Sequence, residues 1–192
     1  MLIHLGTQTI ETSRLILRRA RTADARAMFE NWASDPQITR YLSWKPHKNI
    51  AETQEILSGW VREYRDTRTY NWLIVPKILG EPIGSIGMSS LDYLKEVNEF
   101  CEVGYCLSRQ YWNQGFATEA MQAVLSYLLE RVGFYRVQAV HDVLNPASGR
   151  VMEKCGMQIE GVMRGAALRK DGTRGDLCLR AITLKDFMEL CE

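Results

Sequence analysis

The sequence predicts an α/β (α+β) fold, helices packed on a mixed sheet, in one domain spanning residues 1–192. Two patterns predict it. Strand-like runs follow one another early in the chain, and from about Phe100 onward they alternate with helix-spaced runs. The longest of these places Ala120, Met121, Val124, Leu125, Leu128 and Val132 at the 3.6-residue period of a half-buried helix. A third observation makes a packed core feasible: 46% of the 192 residues are hydrophobic, enough for a domain of ordinary size.

Taken in order, Arg14-Leu15-Ile16-Leu17-Arg18 is the first strand. Thr22 or Asp24 starts a helix running to about Ser34. Asn49 caps a second helix, with Ile50, Ile56, Leu57, Trp60, Val61 and Tyr64 as its expected buried stripe. Asn71 to Val75 and Ile83 to Met88 are strands around the turn Gly80-Glu81-Pro82, which suggests a hairpin. Phe100 to Leu107 is a further strand, with Cys101, Val103, Tyr105 and Leu107 on one face and Phe100, Glu102, Gly104 and Cys106 on the other. The long helix begins near Ala117 and stops at Gly133. Arg136 to His141 is a strand. Asn145-Pro146 then opens a short helix, Asn at the cap and Pro at the first position, with Gly156 just past its end. Met157 to Met163 and Asp176 to Thr183 close the fold as strands joined by a loop containing Lys170-Asp171-Gly172.

Composition excludes several classes. The chain carries 24 Lys and Arg against 23 Asp and Glu, a formal net charge of +1, without the basic stripe of a nucleic-acid binder. No stretch approaches the ~20 apolar residues that span a bilayer. The segment Met1-Leu2-Ile3-His4-Leu5-Gly6 lacks the features of a secretory signal. The five cysteines, Cys101, Cys106, Cys155, Cys178 and Cys191, form no CxxC pair, and free thiols in a reducing cytoplasm are expected. His4, His47 and His141 show no metal-ligand spacing, so no metal is expected.

The strand Phe100–Leu107, the loop Ser108–Phe116 and the helix from Ala117 form one unit. A glycine turn leading into a helix exposes backbone N–H groups at the positive end of the helix dipole, which suits a pyrophosphate. Gly115 permits close approach, Ala117 keeps the first turn slim, and Thr118 adds a hydroxyl donor. GxxxxGK[ST] and GxGxxG are both absent, which argues against a P-loop enzyme and a nicotinamide oxidoreductase. A glycine turn before a core helix would explain the bare segment equally well.

The surrounding residues separate these readings. Tyr111-Trp112-Asn113-Gln114-Gly115-Phe116-Ala117-Thr118-Glu119-Ala120 resembles the acyl-CoA loop of GNAT N-acetyltransferases, in particular the RimJ/RimL-like ribosomal-protein branch. Glu11-Thr12-Ser13-Arg14-Leu15-Ile16-Leu17-Arg18, Asn145-Pro146-Ala147-Ser148 with Glu153-Lys154-Cys155-Gly156-Met157, and Glu160-Gly161-Val162-Met163-Arg164 follow the same branch in register. Trp112 stands where the family generally has Gln or Arg. The resemblance implies a GNAT fold: a central, mostly antiparallel mixed sheet of about six to seven strands with helices on both faces. It also implies a splay between two central parallel strands, here Phe100–Leu107 and Arg136–His141. Acetyl-CoA is the implied cosubstrate, its pyrophosphate on the N–H groups of Gln114, Gly115, Phe116, Ala117 and Thr118. The pantetheine arm would meet Val103, Tyr105 and Asn145.

Acetyl transfer needs a neutral amine, a polarised thioester carbonyl and a proton for the leaving thiolate. Backbone N–H groups near Val103 are the expected polarising donors. Glu102, among apolar neighbours and glycine on the strand where the family often carries a glutamate, is the candidate base; a glutamate facing solvent or paired with a base is the bland alternative. Ser148 matches a serine proposed as general acid in RimL-like enzymes, while the tyrosine that many members use one turn later is Met152 here. For Ser148 and Asn145, helix-start hydrogen bonding is the competing explanation. The resemblance sets Ala167 where RimL-like enzymes carry a glutamate proposed as a base. An α-amine with pKa near 8 is about 10% neutral at pH 7 and a lysine only about 0.04%, so an α-amine is the easier acceptor.

The expected acceptor is a protein N-terminal α-amine, such as that of a ribosomal protein. A small amine (polyamine, antibiotic or amino-acid derivative) is the alternative, and a non-catalytic acyl-CoA-binding module is the alternative of another class. A homodimer is an assembly implied by family analogy alone; nucleic acid and membrane are not expected partners. Trp32, Tyr41, Trp44 and Trp60 belong either to the core or to the acceptor side. Arg164, Arg169, Lys170 and Arg174 form a basic patch or a solvated loop.

Overall fold

Strands form wherever the sequence reading placed them, with one addition. The computed structural model describes residues 2–89 and 99–190. Its strands are β1 (Ile10–Glu11), β2 (Leu15–Arg18), β3 (Asn71–Pro76), β4 (Gly84–Ser89), β5 (Phe100–Leu107), β6 (Arg136–Asp142), β7 (Gln158–Leu168) and β8 (Arg174–Thr183). Among the described residues these eight form a sheet in the order β1-β2-β3-β4-β5-β6-β8-β7. The pairs β1/β2, β2/β3, β3/β4, β6/β8 and β7/β8 are antiparallel, and β5/β6 is parallel. The strand beyond the expected six to seven is β1, whose two residues are too few for any alternation to show.

The helices are α1 (Ala25–Met28), α2 (Pro36–Thr39), α3 (Ile50–Glu63), α4 (Phe116–Ser126), α5 (Pro146–Lys154) and α6 (Leu184–Leu190). None of the described helices is long and apolar enough to cross a membrane. The chain divides into two compact units. One comprises Met1–Ile3, Met88–Gly104 and Met121–Glu192; the other comprises His4–Gly87 and Tyr105–Ala120.

In the second unit the expected hairpin forms, β3 pairing with β4 from Asn71↔Gly87 to Ile74↔Gly84. Leu15 and Leu17 on β2 are fully buried. A core cluster gathers Ala20, Ala25, Met28, Trp32, Ala33, Ile38, Leu57, Leu73, Val75 and Cys106, with Trp44, Trp60 and Tyr64 packed against it. Trp32 is therefore core. Asn49 caps α3 as expected, its side chain accepting from the Glu52 N–H at 2.9 Å. The α3 stripe needs correction. Thr53 and Leu57 are its buried residues, whereas Ile50, Ile56 and Val61 are exposed. Thr53, Leu57, Trp60 and Tyr64 define the inward face. Ile56 and Val61 lie about 70° off its centre on opposite flanks, and Ile50 sits in the terminal turn.

In the first unit β6 pairs with β8 and β8 with β7. The expected helical stripe Met121, Val124, Leu125, Leu128 and Val132 is fully buried. It continues past α4 through a π-helical segment, Tyr127–Val132, which Gly133 ends in a left-handed conformation at φ 90°. α6 has no counterpart in the sequence reading: it is seven residues long with none buried, so it carries little periodic signal. Cys101, Cys106, Cys155 and Cys178 are buried; Cys191 lies outside the described residues. Burial pushes the Cys155 thiol up to about 12, so it is inert as a nucleophile.

Candidate functional site

The loop residues lie in the second unit. β5 ends at Leu107 and the chain turns through a 3-10 segment, Arg109–Tyr111. Trp112 donates its indole N–H to the Leu107 carbonyl at 2.8 Å, tying the loop to the end of its strand. Asn113 is left-handed at φ 59° and Gly115 at φ 81°. Gly115 is the helix N-cap, its carbonyl accepting from the Glu119 N–H at 3.0 Å. The N–H groups of the first turn, beginning with Phe116 and Ala117, point out along the axis at the positive end of α4. The Gln114 side chain donates to the Gln110 carbonyl at 2.7 Å, leaving its backbone as the part that faces a ligand. Gln114 and Gly115 are exposed, so the cradle is open to solution. These residues fit a pyrophosphate: a backbone cradle, a positive-φ glycine and no bulky side chain at Ala117.

Sequence reasoning missed what braces this loop. Glu119, one turn into α4, accepts from the Thr12 hydroxyl at 2.5 Å, the Ser13 hydroxyl at 3.1 Å and the Arg14 N–H at 2.9 Å, all on one oxygen. Its other oxygen takes the Arg14 guanidinium at 2.6 Å. Arg14 also donates to the Gln114 carbonyl at 2.9 Å and lies 4.5 Å over the Phe116 ring. Burial alone would push the Glu119 carboxyl up, but these hydrogen bonds outweigh it and hold the pKa down at about 2. The brace thus stays charged at working pH. Arg14 is ion-paired with Glu119, and the backbone N–H groups of the first turn are the donors that would meet an anion. Thr12-Ser13-Arg14 and Glu119 both lie within the quoted family segments, but their separation of about a hundred residues hides the contact.

Glu102, Val103, Asn145 and Ser148 lie in the first unit. The parallel register runs Phe100↔Arg136, Cys101↔Val137 and Glu102↔Gln138, and stops there. β6 continues to Asp142 against β8. This is the expected splay, and Glu102 is at its start. Its Oε2 accepts from Gln138 Nε2 at 3.0 Å. Val103 is buried, consistent with its alternation opposite Glu102. Tyr105, in the second unit, is half-buried.

Asn145 caps α5, its Oδ1 accepting from the Ser148 N–H at 3.4 Å with Pro146 at the first helical position. Capping uses the amide oxygen; its NH2 is a separate group. Ser148 is half-buried in the first turn, and Met152 is core. Beside them, Gly149 packs so closely on His141 that a Cβ there would lie 2.7 Å from Nε2. Asp142 takes two hydrogen bonds from Arg169, at 2.8 and 2.9 Å. That guanidinium holds the Asp142 carboxyl below its ordinary value. Arg169 is accordingly committed to a structural pair and leaves the expected basic patch. Ala167 lies on β7, paired with Gly175. Among the described residues no group of three or more His, Cys, Asp or Glu could hold a metal ion.

A model of the acetyltransferase (GNAT) domain matches residues 14–158, a span holding β2, the braced loop, β6 and α5. The chain belongs to the GNAT acetyltransferase family. It is an N-acetyltransferase of this family, and acetyl-CoA is the GNAT fold's acyl donor. The N-acetyltransferase YoaA of Bacillus subtilis, itself uncharacterized, is 34% identical over 81% of this chain and 85% of its own length. The ribosomal protein uS5-alanine N-acetyltransferase of Escherichia coli is 24% identical over 93% of this chain and 92% of its own. Among solved structures, RimL, a ribosomal L7/L12 α-N-protein acetyltransferase in complex with coenzyme A, superimposes with a TM-score of 0.80. It is 20% identical and covers 92% of this chain and 98% of its own. That likeness shows the GNAT fold. Membership settles the choice left open between an enzyme and a non-catalytic binding module: this GNAT protein transfers acetyl to an amine.

Proposed function

We propose that this single-domain GNAT enzyme acetylates a protein N-terminal α-amine, such as that of a ribosomal protein, by direct transfer in a ternary complex. The observation that supports this acceptor is the match over 93% of the chain to an enzyme acting on a ribosomal-protein alanine. The backbone N–H groups from Gln114 to Thr118 bind the pyrophosphate, and Val103, Tyr105 and Asn145 contact the pantetheine arm. The neutral amine attacks the thioester carbonyl carbon while a backbone N–H near Val103 takes the developing negative charge on oxygen. Glu102 accepts the amine's proton, directly or through a water. The C–S bond breaks, and the departing thiolate takes a proton by way of the Ser148 hydroxyl, which solvent replenishes. Products are the acetylated amine and coenzyme A, and no metal is required. An α-amine is already about 10% neutral at pH 7, so one carboxylate suffices with Ala167 at the second base position. Free thiols fit a cytoplasmic setting.

The test is a panel at pH 7 of peptides with free N-termini, the same peptides N-blocked but carrying lysine, and polyamines, followed by thiol release. The free N-termini are expected to turn over at least about tenfold faster than N-blocked, lysine-bearing peptides, because more of their amine is neutral. Selective turnover of polyamines would replace this acceptor with a small amine.

A further inference from the structure

We propose that Gln138 is a positioning residue for Glu102, held in its working orientation by Arg136 and Glu160; this rests on the reading of Glu102 as the base. Glu102 and Gln138 are the last partners of the parallel register, so their side chains stand side by side on one face of the sheet. Gln138 Nε2 donates to Glu102 Oε2 at 3.0 Å. Among the described residues Oε1 takes no hydrogen bond, which leaves it for an amine or a water.

An amide can flip, and a flipped Gln138 would set a carbonyl oxygen against the carboxylate. Arg136, two residues earlier on the same face, prevents this by donating from Nη2 to Gln138 Oε1 at 3.1 Å. A guanidinium has donors only, so the amide oxygen must face it and the NH2 must face Glu102. Arg136 is in turn clamped by Glu160, whose Oε1 meets Nη1 and whose Oε2 meets Nη2 at 2.6 Å. The clamp depends on a bulge. The β7/β8 register steps from Ile159↔Arg180 to Gly161↔Leu179, so Glu160 is the inserted residue, and a bulge re-aims the side chain it carries. The intervening strand presents the small Ala181 opposite both Gln138 and Gln158, which lets the chain of polar groups extend across it. The Arg136 guanidinium holds the Glu160 carboxyl below its ordinary value. An edge-strand bulge on β7 thus fixes the direction of one amide two strands in, on β6, and that amide fixes one oxygen of the base.

The test is steady-state kinetics with acetyl-CoA and a free-N-terminus peptide, on Gln138→Leu, Arg136→Met and Glu102→Gln and on the two double variants with Glu102→Gln. Loss of a hydrogen bond to a charged group is expected to lower kcat about tenfold in Gln138→Leu, and freeing the amide about threefold in Arg136→Met. KM for acetyl-CoA should be unchanged. In the Glu102→Gln background neither substitution should lower kcat further, because both act through the missing carboxylate. A merely structural role would cost the same in both backgrounds, and that additivity would overturn the proposal. Full kcat in Gln138→Leu beside an impaired Glu102→Gln would overturn it while leaving Glu102 as base. Full kcat in Glu102→Gln itself would remove both. Thermal unfolding of each variant checks the fold. Should Gln138→Leu fail to fold, Arg136→Met, which replaces a partly exposed side chain, decides alone.

Discussion

Gly115→Val is expected to weaken acetyl-CoA binding by about 100-fold or more, since losing two hydrogen bonds to a charged group at about 1.5–3 kcal/mol each removes at least that much affinity. Gly115 sits at φ 81°, where a β-branched residue is strained by about 1–3 kcal/mol, so the backbone turns away and takes the first-turn N–H groups with it. A Cβ there would also lie 3.2 Å from an Arg14 guanidinium nitrogen, the group that anchors the Gln114 carbonyl. Calorimetric titration with acetyl-CoA reads the effect, with unfolding of the unliganded variant as the control for folding. Undiminished affinity in a folded Gly115→Val would mean that the loop is a structural turn and that the pyrophosphate binds elsewhere.

Glu102→Gln is expected to lower kcat about 100-fold, at the lower end of what a positioned general base supplies, with little change in acetyl-CoA affinity. The lower end applies because an α-amine needs less help than a lysine would. The amide is isosteric and can still meet Gln138, so the structure should survive. Kinetics beside calorimetry separate the two quantities: a loss confined to affinity would make Glu102 a binding residue, and unaltered turnover would remove it from the chemistry.

Local signals made much of this site legible. A glycine before a slim helix start announced the turn at Gly115, Asn145-Pro146 announced the α5 cap, and the alternation of Phe100–Leu107 placed Glu102 opposite Val103. In each case the physics is confined to a few consecutive residues. What escaped depends on residues that meet only after folding. A first-turn acid such as Glu119 is favourable at a helix N-terminus for its charge alone, yet its carboxylate's four hydrogen bonds all come from Thr12-Ser13-Arg14. Glu160 looked like one residue of an alternating strand, and its bulge is a property of the β7/β8 register. Ile56 and Val61 were placed inside α3 by hydrophobicity, whereas the helix turned Thr53 inward. Arg169, a loop cation by sequence, is bonded to Asp142 in the folded chain.

The most direct measurement is thermal unfolding of the wild-type protein with saturating acetyl-CoA, with NADH and ATP as controls. A ligand at about 100 times its Kd adds about 2.7 kcal/mol of stability, which for a chain of this size raises Tm by about 5–10 °C. The account predicts a shift of that order with acetyl-CoA and not with NADH or ATP. No shift at saturating acetyl-CoA would contradict it.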